Sequence, residues 1–131
     1  SAMANGMSFE VSTLGLTAAQ VAFSARADSW LKDLRRYLTG NRDFLVEYVT
    51  EYMPQVRITI PDATYLAWLD FTQTGMDGSP FEFFMKKGKV ALSDGKLFGK
   101  GGKGHVRLNF GTSRNILKQG LDRMRKALKS I

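Results

Sequence analysis

Residues 105–111, HVRLNFG, alternate more strictly than any other stretch of the chain. Val106, Leu108 and Phe110 are apolar, and His105, Arg107 and Asn109 are polar. Successive side chains of an extended backbone point to opposite faces, so this pattern predicts a strand with one face on a core. A one-residue slip in pairing would exchange the two faces, so the pairing register of this segment is strongly constrained. Any sheet that holds it must carry Arg107, flanked by His105 and Asn109, on the face turned away from the core.

The segment just before it, GKGGKG, satisfies G-x-G-x-x-G through Gly99, Gly101 and Gly104. A dinucleotide fingerprint needs a strand before the glycines and a helix after them, with the helix N-terminus facing the pyrophosphate. Here a strand follows. A phosphate loop of the G-x-x-x-x-G-K-[ST] kind fails too, because His105 and Val106 follow Gly104. The glycines are instead expected to permit unusual backbone angles in an exposed connection.

The rest of the chain supplies partners for this strand. Residues 13–25 suit a short apolar helix through Leu16, Ala19, Val21, Ala22 and Phe23. Asp28 is placed to cap a long helix whose Leu31, Leu34, Leu38, Leu45, Tyr48, Val49 and Tyr52 recur at helical spacing. Pro54 ends that helix, and Gly40 predicts a bend or break within it. Residues 56–60 and 64–70 read as strands around a Pro61-Asp62 turn, and Ser79-Pro80 opens a short helix. KVALSDG suggests a short strand closed by a turn. From Ser113, a final amphipathic helix carries Ile116, Leu117, Leu121, Met124 and Leu128 on one face. Arg114, Lys118, Arg125, Lys126 and Lys129 fall on its solvent side. The order predicts an α+β fold, a small and largely antiparallel sheet packed with helices.

A chain of 131 residues fits one such domain. The opening SAM reads as a tag remnant, so residues 1–12 are set aside and residues 13–131 are taken as the domain. No apolar run reaches the roughly 18 residues of a membrane span, the start lacks the features of a secretory signal, and there is no cysteine. A cytoplasmic protein without disulfides is expected. Charge is uneven: residues 1–85 hold 6 Lys+Arg against 10 Asp+Glu, and residues 86–131 hold 13 against 2, or −4 and +11. Such asymmetry suits a polyanion, an anionic ligand or a solvated lysine-rich face.

Three groups of residues bear on function. His105, the only histidine, could be drawn into a triad with Ser93 and Asp94, but no spacing supports one, and no clustered metal-ligand pattern appears. Tyr65, Trp68, Phe71, Phe81, Phe83 and Phe84 most simply fill a core, and no RNA-binding motif accompanies them. Arg107 is the candidate for binding. A guanidinium on a rigid strand can grip a carboxylate with two parallel hydrogen bonds. Its other reading is an ion pair with a residue such as Asp70 on a neighbouring strand, and the residues alone leave the two level.

PDATYLAWLDF, KVALSDGKLFGKGGKGHVRLNFG and NILKQGLDRMRKAL occur in that order. Together they resemble the C-terminal end of pyridoxal-phosphate-dependent aminotransferases of classes I and II, closest to the cystathionine β-lyase-like C–S lyases. AAQVAFSARADSWLKDLRRYLTGNRDFLVEYV resembles the helical stretch leading into that family's small domain. The resemblance implies the small domain of a fold type I enzyme. It also implies that the arginine of VRLNFG, Arg107, binds the substrate α-carboxylate. The family's Schiff-base lysine, pyridinium aspartate and phosphate cup belong to a large domain, and no lysine here lies in a matching motif. The chain is therefore expected to recognise an amino-acid substrate without catalysing its reaction, binding no pyridoxal 5'-phosphate itself. Its own large domain and a second subunit are the implied partners; no specific nucleic acid and no membrane are expected. The alternative, a stand-alone basic module for nucleic acid or another polyanion, rests on the charge of residues 86–131.

Overall fold

The computed structural model describes residues 12–131; the remainder of the N-terminal segment set aside above lies outside the described residues. The chain divides after Arg36 into two compact units, each taken by itself below.

In the first unit, α1 (Thr13–Ala22) is capped by Ser12, whose hydroxyl accepts from the Gly15 amide at 3.0 Å. A short 3-10 turn, Ala25–Ala27, leads into α2 (Asp28–Tyr52), which runs on into the second unit. Asp28 does not cap α2. Its backbone is already helical (φ −60°, ψ −44°), so its carboxylate lies in the acidic first turn, where it still favours the helix dipole. None of the apolar residues of α1 is buried within this chain, and Phe23 and Leu14 are almost fully exposed.

In the second unit, four strands pair antiparallel in the order β1-β2-β4-β3. They are β1 (Arg57–Thr59), β2 (Leu66–Asp70), β3 (Ser93–Asp94) and β4 (His105–Asn109). The strand in KVALSDG is confined to its last polar pair, Ser93 and Asp94. Between β2 and β3 lie α3 (Pro80–Phe83), opened by Ser79-Pro80, and a wide π-turn, Phe84–Gly88. The alternation of β4 fixes the register. Val106 and Leu108 stand opposite Leu69 and Ala67, all four buried. On the same face Phe110 joins Leu45, Val49 and Met53 of α2 and Leu117, Leu121 and Met124 of α4 (Arg114–Leu128) in one core. Ser113 caps α4 by accepting from the Ile116 amide.

Three expectations about these helices change. α2 passes through Gly40 without a break, because the glycine makes room for another chain segment. A β-carbon there would stand 3.2 Å from Nη2 of Arg114. Arg114 is accordingly not a solvent-side residue: its Nε donates to Oδ1 of the buried Asn41 at 2.8 Å, and its guanidinium lies over the Phe44 ring. Ile116, expected on the apolar face, is 60% exposed, while Ala127 is buried in its stead. Deeper along the same two helices, the Tyr48 hydroxyl donates to Asp122. Burial, then that hydrogen bond and charge, push the tyrosine up to about 12.

The glycine-rich segment folds into two short 3-10 turns, Gly95–Phe98 and Lys100–Gly102, joined by Gly99 at φ 113°. Gly95 and Gly102 are buried against each other, and a β-carbon on Gly102 would overlap the Gly95 carbonyl. This contact closes the turns onto the start of β4. Nothing stands near Gly101. Gly102→Ala is therefore expected to destabilise the chain by about 2–4 kcal/mol, and Gly101→Ala by less than about 0.5 kcal/mol. Urea unfolding of the two variants checks the difference.

Candidate functional site

The face of the sheet turned away from the core is built by the same alternation. In register, Arg107 of β4 stands between Trp68 of β2 and Ser93 of β3, and His105 stands opposite Asp70. Both cross-strand neighbours of Arg107 are neutral. Its Nη2 donates to Oγ of Ser93 at 3.2 Å, and its guanidinium carbon lies 4.5 Å from the centre of the Phe98 ring. Phe98 meets Trp68 edge-on at 5.6 Å, and Trp68 stacks on the His105 imidazole at 5.5 Å. Among the described residues no carboxylate pairs with Arg107.

Asp70, the candidate internal partner, is engaged elsewhere. Its Oδ2 lies 3.1 Å from Nε of Arg57, its Oδ1 3.7 Å from Nε2 of His105, and the Thr72 amide donates to Oδ1 at 2.8 Å. Burial works against ionising this carboxyl. The Thr72 hydrogen bonds and the charges of His105 and Arg57 outweigh it and hold the group below its ordinary value of 3.8. The reading of Arg107 as half of an ion pair with Asp70 thus has no counterpart in the structure.

The triad that could be drawn around His105 does not assemble. The Ser93 hydroxyl accepts from Arg107, Asp94 accepts from the Lys96 amide at 3.1 Å, and His105 faces Asp70 while its Nδ1 meets the Lys103 carbonyl. Nor do the aromatics all fill the core. Phe71 and Phe84 do, but Tyr65 is 48% exposed and Trp68 belongs to the polar face. Sequence reasoning passed over Phe98, and it weighed Ser93 only for a triad with His105, not as a partner of Arg107. Period-two alternation finds residues within one strand, whereas these reach Arg107 from a turn and from the neighbouring strand. The available signal was an aromatic residue set inside a glycine-rich connection.

Every lysine among the described residues is exposed, so none is held against an apolar wall where its amine could be made reactive. Among the same residues no group of three or more His, Asp or Glu side chains could hold a metal ion, and no helix is long and apolar enough to cross a membrane. What the face does offer is an oriented guanidinium with most of its donors free.

The sequence matches the family described as aminotransferase class I and II over residues 1–124. Cystathionine beta-lyase PatB of Bacillus subtilis (strain 168) is 37% identical over 119 residues, which are 90% of this chain and 30% of the relative. The cystathionine beta-lyase of Corynebacterium glutamicum is 38% identical over 118 residues, 90% of this chain and 31% of the relative. The solved structure of the PLP-bound C–S lyase from Staphylococcus hominis superposes with a TM-score of 0.83 at 31% identity, covering 88% of this chain and 31% of that one. The chain spans about a third of the length of the curated relatives it matches.

The Asp70 cluster generates an acid-side expectation. A carboxyl depressed on folding contributes stability that is fully present above its ordinary value, here 3.8, and is lost as pH falls through the lowered folded value. Denaturant unfolding at pH 7 and pH 3 is expected to show a smaller difference for Asp70→Asn than for the parent chain.

Proposed function

This chain belongs to the aminotransferase class I and II family, and from that premise we propose that it is the substrate-recognising small domain of a pyridoxal-phosphate-dependent enzyme. The enzyme acts on amino acids, as an aminotransferase or a C–S β-lyase, and Arg107 binds the substrate α-carboxylate. The observation that carries this reading is an arginine fixed on a central strand between two neutral neighbours, with its nearest candidate carboxylate already engaged. Pyridoxal phosphate, held by a separate large domain, supplies the electron sink that amino-acid chemistry at the α-carbon requires.

The contribution of this chain is binding and orientation. Two parallel hydrogen bonds from a guanidinium to a carboxylate fix both the position and the plane of the carboxylate, and hence the direction of the bonds at the α-carbon. Lysine in place of Arg107 would keep the charge and lose the fork. In this reading the chain does not carry out the reaction by itself, which the exposure of every lysine among the described residues supports.

The basic balance of residues 86–131 has structural uses that weaken the polyanion alternative. Arg125 and Lys126 lie in the last turn of α4, where cations offset the carbonyl end of the helix dipole, and Arg125 also lies over the Tyr52 ring. Lys118 pairs with Asp122 at 2.8 Å.

In the full-length enzyme, Arg107→Lys is expected to raise KM and lower kcat/KM by about tenfold or more. In the isolated chain, Arg107→Ala is expected to cost only about 1–1.5 kcal/mol, the scale of one hydrogen bond and one exposed cation–π contact. Removing half of a buried ion pair would instead cost about 3–5 kcal/mol. Steady-state kinetics set beside thermal unfolding distinguishes the two, and large destabilisation with unchanged kinetics would make Arg107 a structural residue. The isolated chain titrated with pyridoxal phosphate is expected to develop no stoichiometric absorption band that one lysine substitution abolishes.

A further inference from the structure

The aromatic ring beneath Arg107 is not supplied by the sheet. Phe98 closes the first of the two 3-10 turns, and its place is set by the backbone contact of Gly95 with Gly102 and by the left-handed bend at Gly99. Phe98 is 49% exposed, so it adds little to the core. Its contacts run the other way, face-on to Arg107 at 4.5 Å and edge-on to Trp68 at 5.6 Å. Trp68 is itself held, since the His105 ring stacks on it and His105 meets the anchored Asp70.

This arrangement bears on what Arg107 must do. An arginine side chain loses up to about 2 kcal/mol of rotamer freedom when it is fixed, and a ligand that fixes it bears that cost. A guanidinium already restrained before the ligand arrives binds a carboxylate more tightly by the part of the cost it has been spared. Two restraints are present. Ser93 takes one N–H at 3.2 Å, which sets the rotation of the guanidinium in its plane. The Phe98 ring lies beneath the guanidinium carbon at 4.5 Å, which limits its movement on that side. Neither carries charge, so neither competes with an incoming carboxylate for the positive field.

We propose that Phe98, braced by Trp68, is a positioning residue that pre-orients the Arg107 guanidinium for a carboxylate, and that the glycine-rich turns exist to deliver it. The proposal rests on the reading of Arg107 as a carboxylate-binding residue. Phe98 acts only through Arg107 and makes no contact with the ligand's carboxylate. It gives the G-x-G-x-x-G segment a task that involves no nucleotide: tight turns that hold one aromatic ring against one arginine.

The test uses the 131-residue chain, with acetate as the probe because it is a carboxylate with neither amine nor side chain. The Nε–H signal of Arg107 is assigned by its loss in Arg107→Lys, and its order on the nanosecond timescale and its response to acetate are measured by NMR. Phe98→Leu keeps an apolar side chain and removes the ring face, and Phe98→Tyr keeps the face. Phe98→Leu is expected to lower the order of the Arg107 signal and weaken acetate about two- to fivefold, with Phe98→Tyr restoring both, a range that matches an exposed cation–π contact. Backbone amide signals of β2 and β4 beyond the contact are expected to stay in place, which a merely structural role for Phe98 would not allow.

If Phe98→Leu changes neither order nor acetate affinity while Arg107 still responds to acetate in the parent chain, the positioning role is overturned and the carboxylate reading stands. Weaker acetate binding with unchanged order overturns it as well, since Phe98 would then touch the ligand. If Arg107 shows no response to acetate in the parent chain, the carboxylate reading itself fails, and this proposal fails with it.

Discussion

The second unit depends on the side chain of Asn41. It is fully buried, the one buried polar side chain among the described residues, and three of the four hydrogen-bonding positions of its amide are used. Its Nδ2 donates to the carbonyls of Phe110 and Thr112, at 3.1 and 2.7 Å, and its Oδ1 accepts from Nε of Arg114 at 2.8 Å. One amide thus ties α2 to the chain leaving β4 and to the first residue of α4. A buried amide left without partners would cost several kcal/mol, so the three segments can pack only where all three bonds form. Apolar contacts alone would allow the helices to slide. The amide fixes where β4 ends against α2, and with it the height at which Arg107 stands in the sheet.

A second constraint works at the other end of β4. Gly95 and Gly102 touch backbone to backbone, and the Phe71 amide bonds to the Gly104 carbonyl at 2.9 Å, extending the β2–β4 pairing past His105. β4 is therefore held at its start by the glycine turns and at its end by the Asn41 clamp. A side chain halfway along a strand pinned at both ends has little backbone freedom, the condition that precise ligand binding requires.

How much of this was legible in the sequence depends on the range of each signal. Alternation in β4 revealed which of its residues face the core and placed Arg107 on the opposite face, because that information lies within five consecutive residues. In β2 aromatic character pointed Trp68 to the core, whereas the structure sets it on the polar face. Helical periodicity found α2 and α4, although it put Ile116 inside and Arg114 outside. Those errors share a cause: Arg114 folds back over Phe44 and Asn41, which lie some seventy residues earlier, and no local pattern encodes that contact. Gly40 was read from intrinsic propensity as a weak point. Its reason is instead the passage of Arg114, a tertiary demand that outweighs about 1 kcal/mol of helix preference. The wall around Arg107 was equally out of reach, because Phe98 and Ser93 arrive from a turn and a two-residue strand.

The register explains why Arg107 remains available. Trp68 and Asp70 sit on the same face of β2, two residues apart, and antiparallel pairing sets Trp68, not Asp70, opposite Arg107. With the order of these two residues reversed, a carboxylate would stand directly across from the guanidinium, and the pair would neutralise itself. Asp70 instead lies beside Arg57 on the one side and His105 on the other, both able to hold it, and the Thr72 amide completes its shell. On β3 the position across from Arg107 is Ser93, a hydroxyl that can accept one N–H without cancelling the charge. A half-buried cation surrounded by neutral acceptors and aromatic faces keeps its attraction for an anion while losing little to desolvation. The sheet is arranged so that no carboxylate among its described residues answers Arg107.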